Sequence, residues 1–238
     1  MDVVALLPRL HLLRFPVGQA YLWRDAEELT LVDAGPPGSG RAIVDAVTAL
    51  GHGPAAVRRV VLTHFHEDHA GGAAELAALT GAEVLAHTAD AAVLRRRVPA
   101  PPPVLAEWER PLHAAALRLL PVRDVEPPAS ITELADGEVL AFGGGAHVIH
   151  VPGHTDGSIA LHLPRHGVLF TGDTVAASPV DGSVMPGVFN LDRPLTVAAL
   201  HRLAALDADV ACFGHGDPVT ERASAVLREA AASHRPAP

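Results

Sequence analysis

Apolar positions along this chain fall into short blocks cut by Gly and Pro, and their period changes from block to block. Leu10 to Trp23 reads as early strands around the break Pro16-Val17-Gly18, and Glu28 to Asp33 as a strand that ends on a carboxylate. After the loop Ala34-Gly35-Pro36-Pro37-Gly38-Ser39, the positions Ile43, Val44, Val47 and Leu50 follow a helical stripe. Ser39 is placed to cap it, and Gly51 and Gly53 stop it. Arg59 to Thr63 is the next strand, Ala73 to Thr80 a helix and Ala82 to Ala86 a short strand. Ile131 to Phe142 and Ala146 to Val151 read as a strand pair turned by Gly143-Gly144-Gly145, followed by strands at Ser158 to Leu163 and Gly167 to Asp173. Pro194 opens a helix carrying Leu195, Ala199, Leu203 and Leu206. Asp209 to Phe213 is a last strand, and Pro218 to Ser233 a closing helix. The run from Asp33 through a helix to His64 is echoed by the run from Asp173 through a helix to His215, which suggests a duplicated strand-helix-strand unit.

From about Thr88 to Pro128 the pattern loosens. Pro99-Ala100-Pro101-Pro102-Pro103 breaks any regular element, and Trp108 and Leu112 to Leu120 read as helical pieces. The expectation is one domain spanning 1–238 with an insertion at about 88–128. Trp108, Leu112 and Leu117 would then wall a site, with Arg95 to Arg97 or Arg110 meeting an anionic group; the plain alternative is a surface covering. Val184 to Phe189 is a second candidate wall.

One stretch is a poor core and a good ligand cluster: Thr63-His64-Phe65-His66-Glu67-Asp68-His69, then Ala70-Gly71-Gly72. If the chain is extended there, side chains two apart face the same way, so His64 and His66 grip one ion together. Asp68 and His69 follow a turn, which suits a second ion, and the paired glycines let backbone pass close by. His154, Asp173 and His215 sit at later strand ends, each beside glycine. These five histidines and two aspartates are the nitrogen and carboxylate donors that zinc accepts. The remaining histidines read as surface or hydrogen-bonded core residues, and Cys212 as a small buried one.

Composition narrows the rest. With 49% hydrophobic and 19% charged residues, the chain is an ordinary folded one. A formal charge of -9 argues against a nucleic-acid surface. All 18 basic residues are Arg, which excludes Schiff-base chemistry and a Lys-based phosphate loop. A single cysteine excludes an intramolecular disulfide and a Cys-based zinc knuckle. The N-terminus has no basic region followed by a long apolar one, and no apolar run reaches about 18 residues, so a soluble, cytoplasmic protein is expected. Its partner is expected to be a small-molecule substrate, with no nucleic acid and no membrane; monomer and homodimer both stay open.

Thr63 to Gly72 resembles the signature of the metallo-β-lactamase fold superfamily. Val32-Asp33-Ala34-Gly35, Pro152-Gly153-His154-Thr155, Thr171-Gly172-Asp173-Thr174 and Phe213-Gly214-His215-Gly216 match its other motifs in order, so the likeness covers about Leu10 to Gly216. It implies an α+β fold, a four-layer αββα sandwich of two mixed β-sheets flanked by helices. It further implies two metal ions, zinc before iron or manganese: one on His64, His66 and His154, the other on Asp68, His69 and His215, bridged by Asp173, with Asp33 supporting from behind. A bridging hydroxide would attack the substrate and Asp68 would relay a proton.

Within that superfamily the motif set is glyoxalase II-like and lactonase-like. Asp173, the absence of Lys and the lack of an export signal stand against a native β-lactamase. Glyoxalase II adds a C-terminal helical part, for which Asp217 to Pro238 is too short. Lactonases carry a Tyr after the bridging Asp, where this chain reads Thr174-Val175-Ala176-Ala177-Ser178. The resemblance therefore implies a dinuclear hydrolase of a small ester, thioester or lactone. Its alternatives are a persulfide dioxygenase-like oxidoreductase with one iron on His64, His154 and Asp173, a β-lactamase, a phosphodiesterase, and a binding protein with a vestigial site.

Overall fold

The computed structural model describes residues 1–120 and 126–235. The chain groups into two compact units, Met1–Ala100 with Ala114–Leu134, and Pro101–His113 with Ala135–Pro238.

The first unit is built on a seven-stranded mixed sheet whose strands lie in sequence order. β1 (Asp2–Leu7), β2 (Leu10–Arg14), β3 (Gln19–Asp25) and β4 (Glu28–Val32) form an antiparallel meander. β5 (Val57–Val61), β6 (Glu83–His87) and β7 (Thr132–Leu134) then add in parallel. Parallel addition needs a crossover, and α1 (Gly40–Ala49) provides it between β4 and β5. Its Ile43, Val44 and Val47 join Leu29, Leu31, Val60 and Leu62 in one core. Leu76 of α3 (Ala73–Thr80) packs into the same core; the single-turn α2 (Glu67–Ala70) precedes α3. Ser39 does not cap α1 with its side chain. The Gly40 N–H donates instead to the Glu75 carboxylate at 3.0 Å, so a neighbouring helix supplies the acceptor. β1 is the strand that the apolar pattern left unread, because it is an edge strand with Asp2 to Ala5 exposed.

Of the 88–128 excursion, α4 (Thr88–Leu94) and α5 (Glu109–Leu119) are helical, and 121–125 lie outside the described residues. Arg95 is a structural tie, not a substrate contact. Its guanidinium donates to Glu133 and, at 2.8 Å, to the Ile131 carbonyl, fastening the end of α4 to β7.

The second unit carries a five-stranded sheet. β8 (Val139–Leu140), β9 (Ala146–His150), β10 (Ile159–Leu163) and β11 (Val168–Gly172) are antiparallel; β12 (Val175–Ala177) and β13 (Val184–Pro186) make a separate hairpin. The chain crosses through α6 (Arg193–Ala204) to β14 (Val210–Phe213), parallel to β11. The two strand-helix-strand runs therefore share a topology, β4-α1-β5 and β11-α6-β14, each closing a parallel pair. Leu169, Ala211 and Phe213 pack with Leu200 and Leu203 of α6 and with Leu227 of α7 (Ala223–Ser233).

Three expectations change here. Ile131 to Phe142 is not one strand: β7 belongs to the first sheet and β8 to the second, separated by a turn at Gly137 (φ 84°). Leu195 faces solvent, since α6 buries Thr196, Val197, Ala199, Leu200, Leu203 and Ala204. α7 starts at Ala223 because Val219 is held by two backbone hydrogen bonds to Ala211, at 2.8 and 2.9 Å. The fold class is otherwise as read: α+β, two mixed sheets with helices. Among the described residues no helix is long and apolar enough to cross a membrane.

Two measurements check this packing. Burial pushes the Cys212 thiol up and keeps it protonated. A thiol-reactive dye is expected to leave the folded protein unlabelled and to react once the chain is unfolded in denaturant. The Thr88 hydroxyl and the Arg95 guanidinium hold the Glu133 carboxyl below its usual range. A carboxylate depressed in the folded state adds stability above its unfolded pKa, about 4.3, and loses it as pH falls through the folded value. Glu133→Gln is therefore expected to lower the urea midpoint at pH 7, with the gap from the parent protein closing towards pH 3.

Candidate metal centre

Beyond β5 the chain bends through residues 63–65, so His64 does not lie on an extended segment as the spacing suggested. The bend still sets His64 and His66 side by side, ring centroids 4.8 Å apart and edge-on. His66 is extended and leads into α2, whose single turn carries Asp68 and His69. The His64 and His69 rings lie 4.3 Å apart, and His69 Nε2 is 3.5 Å from Asp68 Oδ2. Tight backbone contacts hold this turn in place. A Cβ on Gly72 would sit 2.3 Å from the Ala34 carbonyl oxygen, and one on Gly18 (φ 70°) would sit 2.6 Å from that of Asp68.

Behind the cluster stands Asp33, which leaves β4 in the left-handed region at φ 64° and is almost fully buried. Its carboxylate accepts from the Thr63 N–H at 2.7 Å, the Thr63 hydroxyl at 2.8 Å and His69 Nδ1 at 2.9 Å. A carboxylate only accepts, so His69 carries its proton on Nδ1 and keeps a lone pair on Nε2. The Thr63 hydroxyl has one proton, already given to Asp33, so its oxygen accepts from His64 Nδ1 at 2.9 Å. His64 is thereby fixed in the same tautomer.

The second unit repeats the device with other residues. Asn190 donates its amide N–H to the Gly187 carbonyl at 2.7 Å, which turns Oδ1 towards His154 Nδ1 at 3.3 Å. His154 too presents an Nε2 lone pair. That nitrogen lies 3.5 Å from Asp173 Oδ2, and His215 Nε2 lies 3.2 Å from the same oxygen. Glycines again bring backbones close: a Cβ on Gly187 would fall 1.7 Å from the Asp173 carbonyl oxygen, and one on Gly153 (φ 132°) 2.3 Å from the Thr196 nitrogen. Both sites tolerate only hydrogen.

His64, His66, Asp68 and His69 are thus brought together in one unit, and His154, Asp173 and His215 in the other. Imidazole nitrogens and carboxylate oxygens of this kind are the donors that zinc accepts. The protonation pattern fits that use. At His69–Asp68 and at His154–Asp173 an imidazole lone pair faces a carboxylate oxygen 3.5 Å away, two acceptors that repel until a cation lies between them. The donors are also largely withdrawn from solvent; His64, His69 and His154 are fully buried.

Sequence reasoning missed Asn190, Thr63 as a relay, and Asp90, a buried residue of α4 that accepts from the Phe65 N–H at 3.1 Å and steadies the bend. Asn190 lies 36 positions from His154 and Asp90 lies 25 from Phe65, with no local pattern to flag either. Thr63 alone had a signal, its place between the apolar strand and His64. The histidines set aside are hydrogen-bonded elsewhere where the structure fixes them: His162 Nε2 meets the Asp207 carbonyl at 2.9 Å, and His201 Nε2 the His234 carbonyl at 2.7 Å.

If Asp33 sets both tautomers, Asp33→Asn places an amide N–H₂ against donors. The expected cost is about 1–3 kcal/mol of stability for the unsatisfied group and roughly 10–100-fold in metal affinity. Urea unfolding and zinc titration against a chelator measure the two.

Comparison with known proteins bears on the family of the chain. The metallo-β-lactamase superfamily profile matches residues 13–215. A hydroxyacylglutathione hydrolase of Cereibacter sphaeroides is 32% identical over 159 residues, 66% of this chain and 48% of that protein. A probable metallo-hydrolase of Bacillus subtilis is 25% identical over 87% of this chain and 70% of its own. This chain spans about half the length of the hydroxyacylglutathione hydrolases that it matches. Among solved structures, a metallo-β-lactamase family protein of Thermus thermophilus superposes with a TM-score of 0.68 at 29% identity, covering 96% of this chain and 79% of its own. The metallo-β-lactamase SMB-1 superposes at 0.71 with 21% identity, covering 99% of this chain and 93% of its own, a likeness of fold. With the profile spanning most of its length, the chain belongs to the metallo-β-lactamase superfamily.

Proposed function

We propose that the chain is a single catalytic domain, a dinuclear metal-dependent hydrolase of a small ester, thioester or lactone, with zinc as the ion. In this reading His64, His66 and His154 would hold one ion, Asp68, His69 and His215 the other, and Asp173 would be shared by both. The observation that carries it is the pair of imidazole nitrogens, His154 Nε2 and His215 Nε2, gathered at 3.5 and 3.2 Å around one oxygen of Asp173. A carboxylate oxygen facing two ring nitrogens is suited to share an ion with them, which supports a ligand role for Asp173. The thioester class draws support from the hydroxyacylglutathione hydrolase relatives.

When bound, such ions polarise the scissile carbonyl and bring the pKa of a coordinated water to about 7. The protein's part is to aim donors and to handle protons. Asp33 and Asn190 lock the Nδ1–H tautomers, so three imidazoles present lone pairs without reorganisation. Asp68 remains partly open to solvent beside His69 and is positioned to accept a proton and pass it outward. Gly18 lies so close to its backbone that a Cβ there would meet the Asp68 carbonyl oxygen at 2.6 Å. No serine or cysteine nucleophile is called on, and Cys212 is buried out of use.

Elemental analysis together with a panel of chromogenic esters, thioesters, lactones and phosphodiesters tests the proposal. Two zinc per chain and turnover of at least one of the first three classes are expected. Asp173→Ala should lower that turnover by more than the ~10–100-fold seen when outer partners of a metal site are removed. One iron per chain with oxygen uptake would replace the hydrolase reading by an oxygenase one. Turnover untouched by Asp173→Ala would remove the catalytic reading altogether.

A further inference from the structure

The Pro-rich excursion contains one residue whose chemistry the fold alone does not explain. Glu109, the first residue of α5, is 2% exposed, yet no cation lies against it among the described residues. Its carboxylate is satisfied by two backbone donors. Oε2 accepts from the Ala106 N–H at 2.7 Å, closing the turn that starts the helix, and Oε1 accepts from the Phe189 N–H at 3.2 Å. The second bond reaches 80 positions along the chain.

Its far end is an unusual residue. Phe189 sits in the left-handed region at φ 60°, where a bulky side chain is strained and persists only if its surroundings hold it. Glu109 grips its N–H, and the His113 ring packs edge-on against the Phe189 ring with centroids 5.0 Å apart. One residue on, the Val104 N–H donates to the Asn190 carbonyl at 2.9 Å. Three residues beyond that, the Arg193 guanidinium lies over the Trp108 ring, 5.9 Å from its centroid. Segment 104–113 thus clasps loop 189–193 at four points.

That loop is the one that holds His154. Asn190 Oδ1 fixes its Nδ1 proton, the Leu191 N–H donates to its carbonyl at 3.2 Å, and the Asp192 N–H donates to the Gly153 carbonyl at 2.8 Å. We infer that Glu109 is a positioning residue for the metal ligand His154: it sets the left-handed turn at Phe189, which aims Asn190, which fixes the imidazole. Segment 104–113 of the excursion is then part of the support of His154. This rests on the reading of His154 as a ligand. An anchoring chain of this kind keeps a ring oriented with no ion present, which gives the inference a readout of its own.

The test uses the full chain with Glu109→Ala and Glu109→Gln, with His154→Ala as the reference for the affected step. Glutamine keeps the shape and one acceptor, so it serves if the alanine variant does not fold. Nitrogen-15 spectra of the metal-free parent should show His154 protonated on Nδ1, and both variants should shift it towards a mixture of tautomers. In cobalt(II) titrations against a chelator, the step that His154→Ala removes should weaken about tenfold in Glu109→Ala, the low end for outer partners of a metal-binding histidine, and less in Glu109→Gln. The other step should keep its affinity, and the visible bands should change for the affected step alone. An unchanged His154 tautomer, or an equal loss in both steps, overturns the inference and leaves Glu109 as a plain structural brace. A parent protein that binds no ion instead overturns the metal reading, while the nitrogen-15 comparison still decides the role of Glu109.

Discussion

A carboxylate can accept hydrogen bonds but not donate them, and at Asp33 that restriction propagates through a whole ligand cluster. Buried at the end of β4, the group takes two bonds from Thr63 and one from His69. Each bond forces a proton to a particular atom, and the Thr63 hydroxyl passes the constraint on to His64. The left-handed backbone of Asp33 is the condition for all of it, because it turns the carboxylate back towards β5 instead of continuing the strand. An aspartate is among the few residues that combine that conformation with an acceptor of fixed sign.

The second cluster reaches the same protonation state through a neutral amide. An amide can present either end, so Asn190 fixes His154 only because its nitrogen is committed to the Gly187 carbonyl. Its loop in turn depends on a strained Phe189 and on backbone contacts from the 104–113 segment. The Asp33 carboxylate therefore touches a histidine of its cluster directly, whereas the Glu109 carboxylate is separated from His154 by Phe189 and the neutral amide of Asn190. The first network is compact and local to two neighbouring strands; the second recruits residues scattered from Val104 to Arg193.

Glycines do the complementary steric work. Gly72 against Ala34, Gly153 against Thr196 and Gly187 against Asp173 are contacts that any Cβ would break, and each adjoins a donor or the loop that supports one. The hydrogen-bond networks aim the side chains while these contacts set how near the backbones come. Neither would suffice alone, since a correctly protonated imidazole on a displaced loop points at the wrong place.

Much of this was legible along the chain, and for a physical reason. The blocks of apolar residues marked the buried strands from β4 onwards, because strands enclosed on both faces read as continuous hydrophobic runs. The candidate donors were legible because a polar cluster after such a run makes a poor core, and their residue types carry their chemistry with them. The exposed edge strand β1 and the split of Ile131 to Phe142 between two sheets were not legible, since period alone does not say which neighbour a strand will find. By itself, then, the sequence determined the fold class, the candidate donors and the exclusion of lysine and intramolecular disulfide chemistry, all properties of residue type and local order. Which nitrogen of each histidine carries the proton, which residues hold it there, and that a buried glutamate in a Pro-rich excursion grips the loop beside His154 were decided only by tertiary structure. Those facts depend on contacts between residues 25 to 80 positions apart, whose meeting no local pattern records.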